Sequence, residues 1–104
     1  MTTIRIDARR ISDEKSFHDV FASACAFPSV YGRNLDAWVD CMGDLLSERG
    51  ALVLQLDHVD DFARQCPGLF QTLLDCTAFV NWRRSAGERK PTLALAYSRK
   101  TLAT

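Results

Sequence analysis

An α/β fold is predicted for this chain: a small three-stranded parallel sheet packed with about four helices, in the order β-α-α-β-α-α-β. Three observations predict it. Three strand-like segments, at 2–7, 51–56 and 92–97, are spread along the 104 residues. The stretches between them carry apolar residues at helical spacing. The middle segment, Ala51-Leu52-Val53-Leu54-Gln55-Leu56, is apolar almost throughout, which predicts a strand covered on both faces as in a parallel sheet. The length fits one domain, 1–104, with a modest core. No linker, repeat or low-complexity tract divides it.

Each element follows from local chemistry. Thr2 to Asp7 alternates Ile4 and Ile6 with polar residues, which suits a first strand. Ser12 and Asp13 are good helix starters, and Phe17, Val20, Phe21 and Ala24 then form one apolar stripe. This helix should end before Pro28, because the residue preceding a proline avoids helical geometry. Pro28 to Arg33 reads as a loop in which Gly32 lets the backbone turn. Asn34 is a strong N-cap for a second helix whose buried face is Leu35, Trp38, Val39, Met42, Leu45 and Leu46. Gly50 is its expected C-terminal cap. Asp57 is expected to cap a short third helix carrying Val59, Phe62 and Ala63. Pro67 fits the first turn of a fourth, which buries Phe70, Leu73, Leu74, Thr77 and Val80 and ends in the basic, polar stretch Arg83 to Lys90. Thr92 to Tyr97 is the last strand.

Several function classes are disfavoured. Cys25, Cys41, Cys66 and Cys76 show neither C-x-x-C pairing nor metal-ligand spacing to a histidine, so they read as reduced, mostly buried thiols. The N-terminus lacks a basic region followed by an apolar one, so no signal peptide is read and a cytoplasmic location is expected. No stretch is long enough to span a bilayer. Gly-rich phosphate loops, nucleophile motifs and metal-binding patterns are absent, so no enzymatic activity, cofactor or metal is predicted.

Charge is where the sequence becomes informative. The chain is neutral overall. From Pro28 to Glu48 one base stands against four acids, net −3, and from Trp82 to Lys100 six bases stand against one acid, net +5. Asp36, Asp40 and Asp44 recur at i, i+4, i+8 and line one edge of the second helix. Like charges at that spacing cost an isolated helix a few tenths of a kcal/mol per pair. Asp36 recovers some of this near the positive helix N-terminus. Two readings stay open from spacing alone: a solvated acidic face with capping roles for Asn34 and Asp36, or a surface made for a cationic partner.

The string Pro28-x-x-Tyr31-Gly32-x-Asn34-Leu35-Asp36-Ala37-x-x-Asp40-Cys41 resembles the central signature of the barstar family, and the likeness extends over roughly Thr3 to Ser98. The resemblance implies a barstar-like fold and an intracellular inhibitor of a secreted guanyl-specific ribonuclease or related toxin. It implies that the loop and second helix at 28–48 enter the ribonuclease active site. Asp40 would take the place of substrate phosphate, Asp36 would pair with further bases, and Asn34 would contact the rim. Val30 and Asp44 complete the candidate contact set. Tyr31 is open between packing and contact, while Gly32, which borders the same surface, reads with Leu35, Ala37 and Cys41 as fold-keeping. The chain departs from the family pattern at Val30, where an aromatic is expected, and at Trp38-Val39, where the tryptophan is displaced by one position. It departs again at Leu45, where a tryptophan is expected, and around Trp82 to Ser85, which is basic rather than acidic. Trp38 is open between core and interface, and its place on the apolar stripe favours the core.

Three rival readings remain. The same fold could bind a different partner, either a toxin unlike barnase or nucleic acid through Arg83, Arg84, Arg89, Lys90, Arg99 and Lys100, although no nucleic-acid motif is present. Asp36 and Asp40 with His18 or His58 could be a catalytic set, but nothing else in the chain supports it. The acidic helix could also meet the basic C-terminal region of a second copy, whereas a monomer is expected for the free protein.

Overall fold

The computed structural model describes residues 1–85 and 92–98. The elements are β1 (Thr2–Asp7), a 3-10 turn (Ala8–Arg10), α1 (Glu14–Ala24), α2 (Leu35–Arg49), β2 (Leu52–Asp57), α3 (Val59–Gln65), α4 (Pro67–Ser85) and β3 (Leu93–Tyr97). The three strands form one parallel sheet in the order β1-β2-β3. This is the predicted β-α-α-β-α-α-β arrangement, with four helices. The stretch expected to end α4 is described only to Ser85, and residues 86–91 lie outside the described residues.

Register explains the core. Ile4 pairs with Leu54 and Ile6 with Leu56, while Leu52 pairs with Leu93 and Leu54 with Leu95. These side chains share one face, and all but Leu95 are buried beneath the helices. The opposite face carries Thr3, Arg5, Val53, Gln55, Ala94 and Ala96, and it is only partly covered. The prediction that β2 is covered on both faces is therefore corrected. The apolar run does not distinguish full cover from the half-burial that Val53 and Gln55 have.

Caps close most helix ends as local chemistry dictates. Asp13 and Ser16 form a reciprocal capping box at the start of α1. Asn34 caps α2, and Gly50, at φ 80°, ends it with its N–H donating to the Leu46 carbonyl. Asp57, however, does not cap α3. His58 occupies that position in a left-handed conformation, φ 61°, and its side chain makes no cap bond to the helix. The Asp57 carboxylate is drawn elsewhere: Arg5 donates to it from Nη2 at 2.9 and 3.1 Å and from Nε at 3.2 Å, and the Ser98 hydroxyl donates at 2.9 Å. This one carboxylate joins β1, β2 and the residue after β3.

Two further side chains tie α4 into place. Asn81 donates to the Leu93 carbonyl and accepts from the Leu93 N–H, both at 2.9 Å, so its amide completes the first rung of β3. Arg84 donates to the Gly43 carbonyl at 2.9 Å and to the Ser47 hydroxyl at 3.1 Å, clamping α4 to α2.

Burial pushes the Asp57 carboxyl upward, but the bonds from Arg5 and Ser98 outweigh it and hold the group below its ordinary value. Its stabilising contribution is thus present above the ordinary aspartate pKa and is lost as pH falls through the depressed folded value. Asp57→Ala strips Arg5 and Ser98 of their acceptor and should lower stability by about 2 kcal/mol, read from the urea midpoint at pH 7. An unchanged midpoint would mean that the carboxylate is not a tie across the sheet.

Candidate functional site

The site begins with the way α2 is turned. Trp38 has no solvent exposure; its ring lies edge-on to Phe21, centroids 5.6 Å apart, and 6.4 Å from Phe17. The open question of its place is answered: it is core. Met42 and Leu46 are equally buried, and Val39 and Leu45 nearly so. With that stripe inward, Asp36, Asp40 and Asp44 all stand exposed along one edge, and the Asp40 side chain is 67% exposed. Asn34 accepts from the Ala37 N–H at 2.8 Å, so its oxygen is committed to the helix, while its amide donates to the Gly32 carbonyl at 3.4 Å.

The loop before α2, residues 25–34, is braced from inside. Tyr31 is buried, with its ring centroid 4.7 Å from that of Phe27 and its hydroxyl 2.5 Å from His18 Nδ1 on α1. Burial raises the pKa of the Tyr31 phenol, so the hydroxyl stays protonated. Arg33 pairs with Asp19, which also accepts from Lys15. The loop's left-handed residues are Ala26, φ 54°, and Arg33, φ 56°. Gly32 is not among them, which corrects its predicted role as the turning residue. Its value is space, since a Cβ there would stand 3.3 Å from the Asn34 amide and 3.4 Å from the Ala37 Cβ. Val30 is 85% exposed at the loop's tip.

Beside the acidic edge a groove of about 710 Å³ runs between α2 and α4, lined by Asp40, Asp44, Gly43, Val80, Arg83 and Arg84. The sequence places Arg83 at the basic end of the fourth helix and among the candidate nucleic-acid contacts. In space it reaches Asp40, Nη1 to Oδ1 3.3 Å, across 43 residues of chain. Local charge counting could have raised this pairing, but only the α2–α4 packing brings the two together. Of the six bases proposed for nucleic acid, Arg83 is paired and Arg84 is spent on the clamp. Arg89, Lys90, Arg99 and Lys100 lie outside the described residues.

The cysteines form no disulfide, and burial pushes the Cys25 thiol up to about 12. Burial, followed by the nearby Asp44 and Asp40, raises Cys41 as well. Among the described residues no cluster of three or more His, Cys, Asp or Glu side chains could hold a metal ion, and no helix is long and apolar enough to cross a membrane. What the arrangement offers is a fixed row of accessible carboxylates beside a preformed loop. Such a row suits planar cationic groups, because a carboxylate and a guanidinium form short, charge-assisted, bidentate hydrogen bonds. The family model described as Barstar (barnase inhibitor) matches residues 1–98, which include the loop, the acidic edge and the groove. No curated protein matches the chain.

The brace makes the loop sensitive to acid. Burial lowers the His18 pKa from its ordinary value; nearby Glu14 opposes this and Arg33 adds to it. The unfolded chain therefore binds a proton more readily than the folded one. The stability that His18 contributes is complete above its ordinary value and falls as pH drops through it. The wild-type melting temperature should fall between pH 7.5 and 5.5, and His18→Gln should flatten that fall. Tyr31→Phe should cost about 1 kcal/mol at pH 7 by removing the hydroxyl while leaving the packing, measured by urea denaturation.

Proposed function

Since the chain belongs to the barstar family, we propose that it is a proteinaceous ribonuclease inhibitor, not an enzyme, and that it blocks a basic ribonuclease active site with the loop and helix at 28–48. The observation that carries this reading is the exposed row Asp36, Asp40 and Asp44 on a helix whose rotation is locked by Trp38. Asp40, midway along that row and facing the groove, is the substrate-phosphate mimic. Asp36 and Asp44 meet flanking bases, and Val30 and the exposed edge of Gly32 and Asn34 contact the rim. Tyr31 acts from beneath by holding the loop in its bound shape, which reduces the ordering cost of association.

The physics supports this division of roles. An accessible carboxylate on a rigid element loses little conformational freedom when it is captured. Local negative charge speeds encounter with a basic cleft even when the whole chain is neutral. A secreted guanyl-specific ribonuclease fits as target, with the inhibitor acting in the cytoplasm of the producing cell as an antitoxin or immunity protein.

The test is inhibition of a panel of purified secreted bacterial ribonucleases, barnase among them. Wild type should inhibit at least one, and Asp40→Ala should weaken that inhibition by roughly 30-fold or more, the scale for truncating one member of a desolvated charge pair. If no ribonuclease is inhibited, the reading fails. Inhibition that Asp40→Ala leaves unchanged moves the phosphate mimic elsewhere on the surface.

A further inference from the structure

We infer that the ribonuclease bound by this chain presents a carboxylate beside its cationic site, and that Arg83 on α4 is the residue that reads it. The inference rests on the inhibitor reading above and carries its interface from α2 across the groove onto α4.

Two adjacent arginines end α4, and they are used differently. Arg84 turns inward to the Gly43 carbonyl and the Ser47 hydroxyl. Arg83 is half-exposed and its polar contact is with Asp40 at 3.3 Å. Its guanidinium lies 5.7 Å from the centre of the Phe79 ring. That ring is stacked on Trp82, centroids 5.8 Å apart and planes 22° from parallel. Phe79 and Trp82 are 46% and 65% exposed. A guanidinium held over the face of an aromatic ring, here that of Phe79, is positioned in advance of any partner, and Arg and Trp are among the residue types that carry interface energy.

Charge then decides what must stand opposite. The groove is not uniformly acidic, because Asp40 and Asp44 on one wall face Arg83 on the other. In the free protein Asp40 and Arg83 partly neutralise each other. When a partner's base captures Asp40, Arg83 loses part of its counter-charge and meets the same cationic cleft. Against a cleft of bases alone, that juxtaposition repels inside a desolvated interface. Against a cleft with one carboxylate in register, each charge finds an opposite. Arg83 therefore selects among basic ribonucleases by rejecting those without the acid.

The experiment measures affinity for barnase and the other ribonucleases of the panel, using wild type, Arg83→Lys, Arg83→Gln and Arg83→Glu, with Asp40→Ala alongside. For the ribonuclease bound most tightly, Arg83→Gln should weaken binding about tenfold and Arg83→Glu about a hundredfold. Arg83→Lys should retain more affinity than Arg83→Gln. Changing the facing carboxylate of the ribonuclease to lysine should restore binding to Arg83→Glu. If Arg83→Gln binds as well as wild type, or more tightly because Asp40 has been released, while Asp40→Ala weakens binding, this inference falls and the inhibitor reading stands. If no ribonuclease is bound by wild type, both fall. Because Arg83 is solvent-accessible, the variants should fold, and circular dichroism checks this; the neutral Gln variant decides if the Glu variant does not fold.

Discussion

Trp38 packs without solvent contact against Phe17 and Phe21, and this contact fixes how α2 is turned about its axis. Successive residues on a helix point about 100° apart, so a single residue locked inward sets the direction of every other. With Trp38, Met42 and Leu46 inside, Asp36, Asp40 and Asp44 have one edge available to them. The Arg84 clamp on Gly43 and Ser47 then holds α4 at the distance that lets Arg83 reach Asp40. One wall of the groove thus descends from core packing, and the other is held to it by a side-chain clamp between α2 and α4.

The loop before α2 shows the same division between a fixed interior and an exposed tip. Tyr31, Phe27 and His18 hold it from below, and the Arg33–Asp19 pair holds its flank. Val30 projects from a backbone that is already ordered. Arg33 accepts a left-handed conformation that costs an ordinary residue of order 1 kcal/mol, and its ion pair to α1 offsets part of that. A glycine would take that position without strain, but Gly32 stands next door, where a side chain would crowd Asn34 and Ala37.

Much of this was legible in the sequence because it is local. The apolar stripe of α2, the Asn34 cap, the Gly50 stop and the i, i+4 row of aspartates are short-range patterns, and the described structure contains each of them. What was not legible depends on residues distant along the chain. Asp57 sits where a helix cap belongs, but a partner 52 residues away draws its carboxylate. Arg83 reads as part of a basic tail until α4 lies against α2. An apolar run identifies β2 as a strand without saying how much covers each face. In the loop, a glycine signals either an unusual backbone angle or a close approach, and only coordinates separate the two.

One face of the sheet is buried and the other only partly covered, so the molecule has a back as well as a front. Thr3, Val53 and Ala94 lie side by side on that back, joined by register across all three strands. Thr3 and Ala94 are exposed, and neither belongs to the core cluster or to the lining of the groove. A cysteine introduced at either site, with the partly exposed Cys41, Cys66 and Cys76 replaced, gives a point of attachment to a sensor chip or resin that leaves the carboxylate edge facing solution. A shallow, half-bare sheet thereby becomes an anchoring plane for using the chain as a capture reagent.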